Sequence, residues 1–206
     1  MRPLTWAVEI IANTVAGVIA TEDAKTHLRV SGSDEDDLID RLIVAAITSV
    51  EAHARIAMTP QTLELRVPRF PLGGGYFALP RSPVRSVTSI TYIDTDGDEQ
   101  TLAGTVYALE GSGRPATVFL ADDAQCWPGD AADRRDAVRV RYEAGPSTVG
   151  NVPEDLISAA MLLIGHLYEN RQSVVIGTIA SKVPDAVGTL IMRHKIPNGE
   201  LGVVDV

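Results

Sequence analysis

The sequence predicts an α+β protein: a small helical bundle, an antiparallel β unit inserted between its helices, and an extended C-terminal arm. Three observations carry this. Apolar residues recur at helical spacing through residues 38–50 and 156–167. Between these stretches polarity alternates, as in half-buried strands. Beyond Arg171 the chain is apolar but interrupted by Gly177, Pro184, Gly188, Pro197 and Gly199, which suits an arm or strands that need a partner. The expected divisions are residues 1–61 (an N-terminal segment and helices), 62–146 (the β unit), 147–172 (the last bundle helix) and 173–206 (the arm).

Composition narrows the function. At 206 residues, 45% hydrophobic and 22% charged, the chain can bury a substantial core. A formal charge of −9 argues against a surface that grips phosphates, because nonspecific DNA affinity comes from Lys and Arg displacing counterions. An acidic surface remains compatible with a passage through which DNA slides. Cys126 stands alone, which excludes an internal disulfide and a cysteine-held zinc, and fits synthesis in a reducing cytoplasm. The opening "MRPLTWAVEIIANTVAGVIA" has the basic start and apolar run of a signal peptide, but Glu9 and Asn13 interrupt it. Nothing is long and apolar enough to span a bilayer, so no membrane partner is expected.

The elements follow in order. "TEDAKTHLRVSG" reads as a short helix with Thr21 as N-cap, Glu22 and Asp23 in the first turn, and Gly32 as a stop. Ser33 and Asp36 form a capping-box-like pair. The helix they start carries Leu38, Ile39, Leu42, Ile43, Ala46, Ile47 and Val50 and ends before Pro60. Strands begin with Leu63, Leu65 and Val67 and continue through "YFALP", "VRSVTSITYID", "TVYAL", "ATVFLA" and "VRVRYEAG". "NVPEDLISAAMLLIGHLYENR" returns to helical period, with Pro153 suited to a helix start.

Candidate sites have competing readings. "DTDGD" at 94–98 looks like the start of a calcium loop, but positions six and twelve of such a loop would be Glu99 and Thr105. A hairpin turn accounts for it better. "LGGGY" at 72–76 lacks the lysine and serine of a phosphate loop and reads as a flexible hairpin loop. No G-x-S-x-G or H-x-x-x-H occurs, and no cofactor or catalytic residue is expected. On a helical wheel with Leu156 at zero, His166 falls near ~280°, Asn170 near ~320°, Glu169 near ~220° and Arg171 near ~60°. His166 and Asn170 should then be half-buried together, Glu169 should point outward, and Arg171 could reach Asp37 or Asp40. A metal-assisted hydrolase using His166 and Glu169 is one alternative. A β unit that binds a protein or sugar is another, although few exposed aromatics favour a sugar.

The order of the pieces carries a resemblance. "AKTHLRV", "DEDDLIDRLIVAAITSVE", "QT", "RFPL", "LPRSPVRSVTSITYID" with "DG", "CWP", "VRVRYEAG" and "VPEDLISAAMLLIGHLYENR" run through residues 21–172. Together this series resembles the head–tail connector (adaptor) proteins of tailed phages, which have relatives in gene transfer agents. The resemblance implies a non-enzymatic virion protein, made in the bacterial cytoplasm and placed at the head–tail interface. It implies a dodecameric ring beneath the portal protein that extends the DNA channel without binding DNA specifically and meets the next neck or tail protein, a stopper or terminator. Asp37, His166, Tyr168, Glu169, Asn170 and Arg171 would then be structural or interface residues. Val174, Val175, Ile176, Ile179, Leu190 and Ile191 would belong to a portal-docking arm.

Overall fold

The computed structural model describes residues 6–13, 17–122, 125–170, 185–197 and 201–205. The fold is α+β. It divides into a unit of strands, formed by residues 1–14, 59–147 and 196–206, and a unit of helices, formed by residues 15–58 and 148–195.

The strands are β1 (Ala7–Asn13), β2 (Gln61–Val67), β3 (Tyr76–Leu79), β4 (Val84–Ile93), β5 (Glu99–Thr101), β6 (Tyr107–Glu110), β7 (Ala116–Leu120), β8 (Val138–Ala144) and β9 (Gly202–Val204). They form a five-stranded sheet, β1-β2-β8-β4-β5, and a four-stranded sheet, β6-β7-β3-β9, with every pairing antiparallel. Register follows from the alternation. Leu63, Leu65 and Val67 stand opposite Tyr142, Val140 and Val138 on the buried face, while Glu64 stands opposite Arg141 on the other. A slip by one residue would turn every one of these side chains to the wrong face.

The segments joining the two sheets share an aromatic cluster. Phe70, between β2 and β3, stacks on Trp127 at 5.6 Å between ring centroids and meets Tyr92 of β4 edge-on at 5.2 Å. Trp127 in turn meets Phe77 of β3 at 5.1 Å and donates its indole N–H to Gly75 O at 3.0 Å. Such ring pairs add to the burial of their area, and the buried indole has the partner it needs. Tyr142 is fully buried and donates its hydroxyl to Pro80 O at 2.9 Å. Burial pushes its phenol well above the ordinary value.

Several local expectations change. "LGGGY" is not a hairpin loop, because β2 and β3 lie in different sheets. Its last glycine has a packing reason: a Cβ at Gly75 would stand 2.3 Å from Val204 O in β9. The first twenty residues, read above as interrupted apolar sequence without an element, contain β1. The arm is not extended throughout, since residues 185–192 form a helix, whereas residues 202–204 form a strand, β9, with β3 as its partner. "DTDGD" does form the hairpin turn between β4 and β5. There Asp94 accepts the N–H groups of Asp96 and Asp98 at 3.0 and 2.9 Å and the Gln100 amide at 2.7 Å.

The helices are α1 (Thr21–Leu28), α2 (Asp36–Ala54), α3 (Glu154–Glu169) and α4 (Asp185–Met192). Ile39, Ile43, Ala46, Ile47 and Val50 of α2 are buried, as are Leu156, Ala159, Ala160, Leu163 and Ile164 of α3. The two helices pack together, and α4 packs on α3 through Val187 and Ile191. The expected caps do not form. Ala20 precedes α1, and Thr21 instead donates its hydroxyl to Asp40 at 2.6 Å. Glu35, rather than Ser33, precedes α2. Neither α1 nor α2 ends on glycine: Arg29 and Arg55 take the left-handed conformation there, at φ 58° and 56°.

Candidate functional site

Residues 164–170 of the polar run lie at the C-terminal end of α3, where the helical hydrogen bonds run out. Asn170 closes it, with its backbone N–H and its side-chain amide both donating to His166 O, at 3.0 and 2.8 Å. His166 is half-buried but Asn170 is exposed, so the pair is not buried together as the helical wheel suggested. Glu169 is exposed, as expected. Tyr168 reaches furthest: its hydroxyl donates to the Glu35 carboxylate at the start of α2. This ties the end of one helix to the beginning of another, where a negative charge also suits the helix dipole. Asp37 is exposed on the first turn of α2, and its carbonyl accepts Arg41 Nε at 3.0 Å.

Arg171, Val174, Val175, Ile176 and Ile179 lie outside the described residues. Of the remaining arm residues, Leu190 is half-buried and Ile191 is buried against the helical unit. The turn after α4 is pinned by His194, whose Nε2 lies 3.2 Å from an Asp155 oxygen, with Arg193 at 3.6 Å from the same oxygen. The His194 hydrogen bond, joined by the positive field of both residues, holds the Asp155 carboxyl below the usual carboxylate range. Met192 beside it is 73% exposed.

Sequence reasoning missed a second polar constellation, because its members are far apart in the chain. On the face of the five-stranded sheet opposite the core, Glu9 pairs with Arg66 at 2.6 Å. Arg66 pairs with Glu64 at 2.8 Å, and Glu64 with Arg141 at 2.8 Å. Arg85 meets Glu143 at 3.2 Å, and Arg139 lies between Asp136 and Glu99 at 3.5 and 3.6 Å. Burial of Glu64 opposes its ionisation, but the Arg141 and Arg66 guanidiniums outweigh that and hold it low. These arginines are turned toward carboxylates rather than left open for phosphates, which agrees with the acidic composition.

Lys25 and Glu51 were also missed. Lys25 is 7% exposed and lies 3.0 Å from Asp36 and 3.1 Å from Glu22, so it draws α1 to the start of α2. Glu51 is buried and accepts the Met58 N–H at 2.8 Å, closing the turn that follows α2. In the strand unit, Arg69 grips Asp205 through two hydrogen bonds of 2.9 and 2.5 Å, and Asp205 also accepts the Leu72 N–H at 2.9 Å. This clasp fastens the segment after β9 beside an open cleft of about 410 Å³ that includes Leu72, Cys126 and Trp127.

Among the described residues, no three of His, Cys, Asp and Glu converge as a group that could hold a metal ion. No described helix is long and apolar enough to cross a membrane. Asn170, Tyr168, His194, Lys25, Glu51 and the sheet arginines are engaged in caps, ties and ion pairs. Large apolar side chains remain open to solvent on several elements: Trp6, Ile10 and Ile11 in and beside β1, Val44 on α2, Leu162 on α3, and Phe119 on β7.

Comparison with known proteins gives this fold relatives. Residues 17–196 match the sequence model of the family described as "Head completion protein". No curated protein sequence matches the chain. Among solved structures, one in the "Neck of empty GTA particle computed with C6 symmetry" is similar at a TM-score of 0.73 and 22% identity, covering 94% of this chain and 99% of that one. Another, from the "Virion of native gene transfer agent (GTA) particle", has a TM-score of 0.72 at 21% identity, covering 93% and 96%. A third, in the "Neck of native GTA particle computed with C12 symmetry", has a TM-score of 0.67 at 21% identity, covering 94% and 99%. At these identities the likeness establishes a shared fold.

Proposed function

The chain belongs to the head completion protein family, and from that premise we propose that it is a structural connector at the head–tail interface of a tailed phage or gene transfer agent. The observation that carries this reading is the family match across residues 17–196, joined to a fold shared almost end to end with proteins of gene transfer agent necks. Its work is to hold other proteins in place, without turnover.

In this reading the chain forms a ring under the portal protein, with the DNA channel passing through it and the next neck or tail protein below. A ring of twelve agrees with the C12 symmetry of one similar neck. A closed ring requires each subunit to offer two different faces, one to each neighbour. The net charge of −9 and the paired arginines suit a channel wall along which DNA moves without adhering. The arm around Val174, Val175, Ile176 and Ile179 makes the portal contact, while α4 and β9 anchor the rest of the C-terminal segment to the body.

Complementation tests this. DNA-filled heads from a strain lacking the protein should be tailless and should acquire tails when the purified full chain is added. A chain with Val174, Val175, Ile176 and Ile179 all changed to Ser should fold and fail to restore them. Heads that acquire tails in the absence of the protein would refute the connector role. Full restoration by the substituted chain would remove portal docking from the arm.

A further inference from the structure

Among the described residues, each sheet edge presents unpaired N–H and C=O groups, and soluble proteins usually blunt such edges with charge, shortness, proline or a cover. Of the four edges that the described strands form, three are blunted. β5 is three residues long and reads Glu-Gln-Thr. β6 is four residues long and ends in Glu110. β9 is three residues long and is followed by Asp205, which Arg69 clasps.

β1 is different. It is seven residues long, and its sequence is Ala-Val-Glu-Ile-Ile-Ala-Asn. Its one charge, Glu9, is tied at 2.6 Å to Arg66 of the adjacent strand, so it does not stand guard over the open side. The register places Val8 opposite Leu65 and Ile10 opposite Leu63, on the core-facing side of the sheet. Leu63 and Leu65 are fully buried, yet Ile10 is 45% exposed. The apolar face is therefore covered over β2 and less so over β1, where Val8 is half-buried and Ile10 exposed. A bulge between Ile10 and Ala12 sets Ile11 out of register, 43% exposed, and Trp6 just before the strand is 37% exposed. Trp6 itself is held in place, because its ring lies over β9, where a Cβ at Gly202 would stand 2.9 Å from Trp6 Cδ1. The result is an open strand edge with an apolar strip, placed before the region that the family model matches.

We propose that β1 is a subunit–subunit contact: its open edge and the strip formed by Trp6, Ile10 and Ile11 are covered by the neighbouring copy of this chain. The inference rests on the ring reading above. A second copy is the occupant because the similar necks were computed with sixfold and twelvefold symmetry, which sets copies of one chain side by side around an axis. A cyclic contact is heterologous, so β1 meets a different surface of its neighbour and not the neighbour's β1. Main-chain pairing would supply affinity and the isoleucines register, as in strand addition generally.

The test is site-specific photocrosslinking in assembled particles, with p-benzoylphenylalanine replacing Ile10 in the full chain and the vertex imaged in the same sample. The expected result is a ladder of multimers of this chain alone, with the crosslinked peptide lying outside β1. A visible ring with crosslinks only to another protein, or with none, overturns the proposal and leaves the ring reading standing. A vertex without a ring overturns both. As a second variant, the full chain carrying Ile10→Asp and Ile11→Lys should keep its melting temperature and lose about tenfold or more in ring occupancy, a change of about 1.4 kcal/mol or more in assembly. Wild-type occupancy would equally overturn the proposal.

Discussion

The N-terminal strand and the C-terminal segment are both apolar, and the fold treats them in opposite ways. β1 leaves Ile10 and Ile11 nearly half exposed on an open edge. The C-terminal segment buries Val187, Ile191, Ile196 and Leu201, and fastens itself with the Asp155–His194 and Arg69–Asp205 pairs. Apolar composition therefore does not by itself mark a docking arm. What marks a contact surface is apolar area that the chain's own packing leaves uncovered.

The largest break in this comparison should come from matched substitutions at its two ends. Ile191→Asp puts an unpaired charge in a buried site and should cost about 3 kcal/mol, read as a lower urea midpoint. Ile10→Asp should change stability by less than about 0.5 kcal/mol and act on assembly instead. Equal losses of stability would erase the distinction.

Next in size is Gly75→Val. With Val204 O so close to where a Cβ would stand, β9 must leave β3, at a cost of about 2 kcal/mol. Limited proteolysis should then cut near residue 200 at a rate the wild-type chain does not show. Tyr168→Phe should follow, costing about 1 kcal/mol by removing the hydroxyl that Glu35 accepts. An unchanged urea midpoint would mean that this tie contributes nothing to the bundle.

Acid should loosen the C-terminal segment. Asp155 and Asp205 have carboxyls held below their usual range, chiefly by hydrogen bonds from His194 and Arg69. A depressed folded value means that stabilisation is present above the ordinary carboxylate pKa of about 4 and is lost as pH falls through the folded value. Proteolytic release of residues 185–205 should therefore increase between about pH 4 and pH 3. Asp155→Asn with Asp205→Asn should make release nearly independent of pH across that window. An unaltered pH profile in the double variant would contradict the assignment.

Much of the fold was legible because its signals are local and long. α2 and α3 each repeat an apolar stripe over four turns or more, and β2 and β8 alternate cleanly because one face is buried. β1 escaped because it is exposed on both faces and so lacks alternation, and β9 because three residues hold no period. The Tyr168–Glu35 tie joins residues 133 positions apart, and no helical wheel contains that information. At the end of α3 the geometry turns on Tyr168 rather than on His166 and Asn170 buried together. The ion-pair face was hidden for the same reason: Glu64 and Arg141 meet only once β2 and β8 are paired.

The most direct measurement is cryo-electron microscopy of the portal vertex after the purified chain is mixed with DNA-filled, tailless heads that carry their cognate portal. The account predicts a ring of this chain under the portal, with residues 173–184 against it and β1 at the boundary between subunits. A bare vertex, with folded protein present in excess, would contradict the connector role.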